Sequence, residues 1–246
     1  MIKIKQIVAT GLLLFLFACN NNTRQRVSDH FMKSNDYIVN CDFKNSLKEL
    51  ELAKKIEPNN ALIYFGIGQT YSLLNDYKNA IENYDKAIEI NPKFTIAYQA
   101  RASIKSLIGD DIGGLEDCTK AIELKPDFIF TLFQRGTIKN NQGDIQGAIN
   151  DFTLILKYKS DFTNVYYYRG ILYGLNKEYE KAIDDFSNVI KLKKDKSRAY
   201  IYRGAYEYSI GQKDKACEDF YKAKELGDTT SIEYIEKYCL EYDGYK

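Results

Sequence analysis

The chain has 246 residues, 45 % of them hydrophobic, enough to bury a sizeable core. Lysine plus arginine (35) almost balances aspartate plus glutamate (34), which leaves no basic footprint for nucleic acid and no polyacidic or polybasic tail. Tyrosine is abundant (21), tryptophan is absent, and there are only three prolines.

The N-terminus, "MIKIKQIVATGLLLFLFAC", carries Lys3 and Lys5 and then an apolar run from Ile7 to Ala18. As a helix that run reaches about 18 Å, short of the roughly 30 Å hydrocarbon core, so it reads as an export signal rather than a membrane span. Leu16-Phe17-Ala18-Cys19 resembles a bacterial lipoprotein box, with Phe17 where that family prefers a smaller side chain. The resemblance implies removal of residues 1–18 and lipid attachment at Cys19. It also implies a mature protein held by several acyl chains to a membrane of the bacterial cell envelope, facing the periplasm or the cell surface. Residues 19–26, which include "NNNTRQR", are then expected to form a short polar tether.

Beyond the tether the chain is periodic. Pro58, Pro92 and Pro126 stand 34 residues apart, and each should end a helix just before it. Cutting the chain at that period gives six units: 27–60, 61–94, 95–128, 129–162, 163–196 and 197–230. In "ALIYFGIGQTYSLL" (61–74), Tyr64, Ile67, Gly68 and Tyr71 share one helix face. The Gly68 column continues as Ala102, Gly136, Gly170 and Gly204, with Ser34 in the first unit. A second small column, Ser46, Ala80, Gly114, Ala148, Ala182 and Ala216, precedes by four residues the mostly bulky Leu50, Tyr84, Cys118, Phe152, Phe186 and Phe220. Small against large is what interdigitated helices require. Asn75, Gly109, Gly143 and Gly211 suit the left-handed residue that ends a first helix. Asp42, Asp76, Asp110 and Asp144 are placed to cap the second. The first unit is the most degenerate: its second helix, ending in "AKKIEP", fits the repeat pattern and its first does not.

A 34-residue helix–turn–helix period with these columns resembles the tetratricopeptide repeat. The resemblance implies an all-α fold: a right-handed α-solenoid of about six repeats with a C-terminal capping helix. Residues 231–246 supply the cap and tail. In "TSIEYIEKYCLEY" (230–242), Thr230 and Glu233 are expected to form a capping box, and Ile232, Ile235, Tyr238, Cys239 and Tyr242 an apolar stripe.

One column departs from that family, which usually places an aliphatic residue where this chain has Arg101, Arg135, Arg169 and Arg203. Sixteen residues on stand Asp117, Asp151, Asp185 and Asp219; the first unit offers Lys33 and Glu49, and the second the neutral Ile67 and Asn83. The charges change together, which points to contact. These pairs are expected to form a structural charge ladder, either within or between repeats.

No catalytic constellation is found. There is no G-x-S-x-G elbow, no phosphate-binding loop and no metal-ligand spacing, and the single histidine, His30, falls in the degenerate unit. The chain is therefore expected not to be an enzyme and to need no cofactor or metal. Cys118 reads as a small buried hydrophobe and Cys41 as a turn residue. Cys217 and Cys239 lie eleven residues either side of residue 228, so an antiparallel lid would bring them together as a disulfide in an exported protein.

The tetratricopeptide resemblance implies a concave binding surface built from the first helices, here Phe65, Gln99, Phe133, Tyr167 and Ile201, joined by Phe130, Tyr168, Tyr202 and Tyr208. That column has no lysine for a carboxylate clamp, so an apolar or aromatic protein segment is the expected partner. The expected function is a non-catalytic protein- or peptide-binding scaffold anchored by its lipid. The alternative is a glycan- or nutrient-binding envelope lipoprotein, whose tyrosines would stack on sugar rings.

Overall fold

The computed structural model describes residues 22–240, so Cys19, the leader before it and Tyr242 lie outside the described residues. The described residues form thirteen helices and no strand. They fall into two compact units, divided after Pro126. The N-terminal unit holds three hairpins: α1 (Asn22–Val39) with α2 (Phe43–Ile56), α3 (Ala61–Leu73) with α4 (Tyr77–Ile90), and α5 (Thr95–Leu107) with α6 (Asp111–Leu124). The C-terminal unit holds α7 (Ile129–Asn141) with α8 (Ile145–Tyr158), α9 (Thr163–Leu175) with α10 (Tyr179–Leu192), and α11 (Ser197–Ser209) with α12 (Lys213–Glu225). The final helix is α13 (Thr230–Tyr238). No helix among the described residues is long and apolar enough to cross a membrane.

The turns explain the hairpins. One column ends every first helix with a left-handed residue: Gly109, Gly143 and Gly211 at φ of 82–87°, and Cys41, Asn75 and Lys177 at 59–61°. Asp42, Asp76, Asp110 and Asp144 then each accept a backbone N–H three residues on, closing the first turn of the second helix. Pro58, Pro92 and Pro126 each follow the residue that caps a second helix, where the chain must leave the α region. In the fourth and fifth units Lys159 and Lys193 cap the same position without a proline to follow.

Within a hairpin the small column lets the helices close. A methyl at Gly170 would sit 2.9 Å from the Phe186 ring, closer than carbon atoms approach. Where the first helix carries Ala102 instead of glycine, the facing ring is replaced by the smaller Cys118, and both are fully buried. The two columns thus adjust to each other's volume. In the first unit the two small columns instead carry hydroxyls: Ser34 and Ser46 bond at 2.8 Å, and Ser46 reaches Thr70 of the next hairpin at 3.3 Å.

The structure corrects the N-terminal expectation. Residues 22–26, assigned above to the tether, belong to α1, and Val27 is 1 % exposed against Leu50, Ala53, Ile63 and Ile67. The first unit is a full hairpin. Its charge pair also differs, because Glu49 Oε2 meets His30 Nδ1 at 2.7 Å while Lys33 is exposed. The C-terminal cap is corrected too. Asp228, not a Thr230–Glu233 box, accepts from Thr230 N (3.0 Å) and Thr230 Oγ1 (2.6 Å). Ile232 is 42 % exposed, and the covering face is Tyr234, Ile235, Tyr238 and Cys239.

The arginine ladder lies inside the hairpins. Arg169 Nε and Nη2 donate to Asp185 at 2.8 and 2.7 Å, a fork on a carboxylate that is 3 % exposed. The same two-point contact joins Arg101 to Asp117, Arg135 to Asp151 and Arg203 to Asp219. A third nitrogen reaches back to the preceding hairpin: Arg101 Nη1 to Asp85 (2.5 Å), Arg169 Nη1 to Thr153 (3.0 Å) and Arg203 Nη1 to Ser187 (3.1 Å). Each of these three arginines rivets a first helix to both second helices that flank it.

The position four residues after the arginine varies. Lys105 and Lys139 add a second cation to Asp117 and Asp151, at 3.0 and 2.9 Å. The sixth unit instead places Glu207 there, 6 % exposed and with Oε2 lacking a hydrogen-bond partner. Burial first, then the Asp219 charge, push the Glu207 carboxyl up to about 7, against the opposing pull of Arg203 and Lys215. A carboxyl raised in the folded state contributes stability below its ordinary 4.5 and loses it as pH climbs through about 7. Wild-type stability should therefore fall between about pH 5 and pH 8, and Glu207→Gln should remove that fall and gain about 1–2 kcal/mol at the upper end. Urea midpoints across the range check this; a flat wild-type profile would refute it.

Candidate functional site

The first helices of the C-terminal unit build an aromatic face. On α9, Tyr167 and Tyr168 follow one another, so their rings leave the helix in directions about 100° apart. Tyr168 meets Phe133 of α7 edge-on, with ring centres 5.5 Å apart, and Phe133 leans on the core ring Phe152 at 5.3 Å. Tyr167 meets Tyr202 of α11 edge-on at 5.7 Å, and Tyr202 stacks on the core ring Phe186 at 5.1 Å. The surface rings are thus rooted in the core rings that fill the hairpins, so they hold their positions without a ligand. α9 and α11 also approach each other directly, which places them in one layer.

Exposure separates anchors from presented groups. Phe130 is 65 % exposed and Tyr168 48 %, whereas Phe133, Tyr167 and Tyr202 are half-buried. Phe130 and Phe133, three residues apart, share a face of α7. Burial first, and then Tyr202, push the Tyr167 hydroxyl up to about 12, so it stays a neutral donor and acceptor at any physiological pH. Arg198, exposed on α11, opposes this shift from beside the same hydroxyl.

Not every expected residue belongs here. Ile201 is 7 % exposed, in a core cluster with Tyr200 and Ala223 against which Tyr234 of α13 packs, and so packs rather than presents. Tyr208 is taken up by the lid, its ring centre 4.4 Å from that of Tyr238. In the N-terminal unit, Phe65 packs against Tyr84 and Phe94 at 5.7 and 5.1 Å, and Gln99 donates to Ser103 on its own helix. Arg198 was not anticipated. Its column runs Leu62, Ile96, Phe130, Asn164 and Arg198, so nothing repeats there to flag it.

Cys217 and Cys239 are joined by a disulfide, with Cα atoms 5.7 Å apart. Cys118 is a buried free thiol and Cys41 an exposed one. Among the described residues no group of histidine, cysteine or carboxylate side chains is arranged to hold a metal.

Residues 61–94 and 163–196 each match the tetratricopeptide repeat family. No curated protein matches the chain. Among solved structures the chain is similar to MamA, at 23 % identity over 68 % of this chain and 97 % of that one (TM-score 0.62). It is also similar to YrrB, described as a TPR protein with an unusual peptide-binding site, at 17 % identity over 76 % and 97 % (TM-score 0.68). A third is PilF of Pseudomonas aeruginosa, at 13 % identity over 88 % and 99 % (TM-score 0.70). At these identities the likeness is one of fold: consecutive helical hairpins carrying tetratricopeptide repeats.

Proposed function

We propose that this protein is a non-catalytic scaffold that binds a protein or peptide segment on the aromatic face of its C-terminal unit. We further propose that acylation of Cys19 holds it to a bacterial envelope membrane, facing the periplasm or the cell surface. The observation that carries the binding reading is the pair Phe130 and Tyr168, two large exposed rings set beside a tier of rings fixed in the core. Exposed aromatics give contact area at low entropic cost and concentrate at binding hot spots. The fold it shares with YrrB, a TPR protein with a peptide-binding site, supports a peptide as the ligand class. The apolar character of Phe130 and Phe133 favours an apolar or aromatic segment over a sugar.

The test is crosslinking in native membranes followed by identification of the captured polypeptide. Phe130→Ala with Tyr168→Ala should abolish capture, since each hot-spot ring contributes about 1–3 kcal/mol of binding. Phe130 is 65 % exposed and Tyr168 48 %, so the melting temperature should fall by only a few degrees, and the double variant should still be folded when capture is scored. A discrete partner captured equally by the double variant would remove this face from the binding site.

A further inference from the structure

We infer that the N-terminal unit stands end-on upon the lipid surface, with the N-terminal end of α1 and the C-terminal end of α2 against the headgroups. This inference rests on acylation of Cys19 and goes further by naming the surface that meets the membrane. Helix α1 begins at Asn22, so only Asn20 and Asn21 separate the lipid-bearing residue from it. Three Cα steps span at most about 11 Å. A domain so tethered cannot float clear of the bilayer, and the end it presents is fixed by the chain.

The residues at that end fit an anionic surface. Val27, in the second turn of α1, shares a core cluster with Ala53 in the last turn of α2, and Ile56 packs against that cluster. Arg24 and Arg26 on α1 and Lys55 on α2 are exposed there, and no ion pair engages any of the three among the described residues. Of the nearby carboxylates, Glu51 pairs with Lys54, while Glu57 and Asp29 accept from the neutral amides of Asn60 and Gln25 and keep their charge. Juxtamembrane arginines and lysines are drawn to anionic lipid over roughly a Debye length, about 8 Å at physiological salt. Lying flat would instead lay the outward side of α1 on the surface, where the exposed Lys33 is offset by the exposed Asp29 and Asp36.

The fold supplies its own distance probe. Cys41 is exposed in the turn at the far end of the first hairpin, beyond the 18 residues of α1, about 27 Å of helix. The full lipidated protein, labelled at Cys41 with a thiol-reactive fluorophore, would be placed in phosphatidylglycerol-containing vesicles that carry a headgroup quencher. The Cys41→Ser, Lys55→Cys variant would be labelled and treated alike. Loss of fluorescence at position 55 and none at Cys41 is the expected result. Inserting about 20 glycine and serine residues before Asn22, a coil of about 25 Å, should restore fluorescence at position 55. Equal quenching at both positions, stronger quenching at Cys41, or quenching at 55 that ignores the insertion would overturn the seat while leaving the anchor intact. An intact-mass measurement showing Cys19 without acyl chains would instead overturn the anchor, and the seat with it.

Discussion

Arg169→Met, with Asp185 left in place, is expected to lower the unfolding free energy by about 3–5 kcal/mol, because it strands a buried carboxylate. Asp185 is 3 % exposed on its side chain and receives both arms of the guanidinium fork. Burial raises the Asp185 carboxyl above its ordinary range even with Arg169 pulling the other way. The pair is therefore a costly charge made tolerable by its partner rather than a source of net stability. It follows that Asp185→Leu added to Arg169→Met should recover most of the loss. A chain of this size moves its melting temperature by about 2–4 °C per kcal/mol, so the single variant should fall by roughly 6–20 °C. The surface pair Lys181–Glu178, whose lysine is 60 % exposed, serves as the control, and Lys181→Ala should leave the melting temperature where it is. An unchanged melting temperature for Arg169→Met would show that the ladder is solvated in solution.

The ladder also shows what a sequence can and cannot reveal. The arginines and their aspartates are legible because they change together down one column, from charged pairs to Ile67 and Asn83. Whether the contact lies within or between repeats is not legible, since each first helix is flanked by the second helices of two hairpins and the spacing alone does not choose between them. The third contact was hidden because its partner column varies, with Asp85, Thr153 and Ser187 all accepting from the same kind of nitrogen. The 34-residue period, the left-handed turn column and the aspartate caps were readable because every unit solves the same closure problem locally. The ends were not, because a terminal unit lacks one neighbour. Among the described residues no hairpin packs before α1, and Met32, Lys33 and Asp36 are exposed and blur its periodicity. Ile201 shares a column with Phe133 and Tyr167, yet it is buried in a cluster against which Tyr234 packs, a residue from a lid that the inner units do not have. The aromatic column of the first helices was visible in the sequence. Which rings present themselves and which only pack depends on core contacts with Phe152 and Phe186 that no single column encodes.

Reducing the Cys217–Cys239 bond, or replacing both residues with serine, should cost about 3 kcal/mol in the chain-entropy account of a bond that closes a loop of 22 residues. The damage should be local before it is global. Helix α13 has nine residues, too few to persist in water unaided. Its attachment is the packing of Tyr234 and Tyr238 on Phe220 and Tyr208, plus this bond. Without the bond, opening of the lid uncovers Phe220, which is 0 % exposed with Tyr234 and Tyr238 packed on it. Repeat stacks transmit stability between neighbours only, so amide protection should fail in α13, α12 and α11 while α7 and α8 keep theirs. Hydrogen exchange of the oxidised and reduced protein, read peptide by peptide, distinguishes this from a uniform loss. Protection in residues 230–239 that survives reduction would mean the tyrosine contacts alone hold the lid. The bond would then be a passive consequence of proximity rather than the clamp that ends the stack.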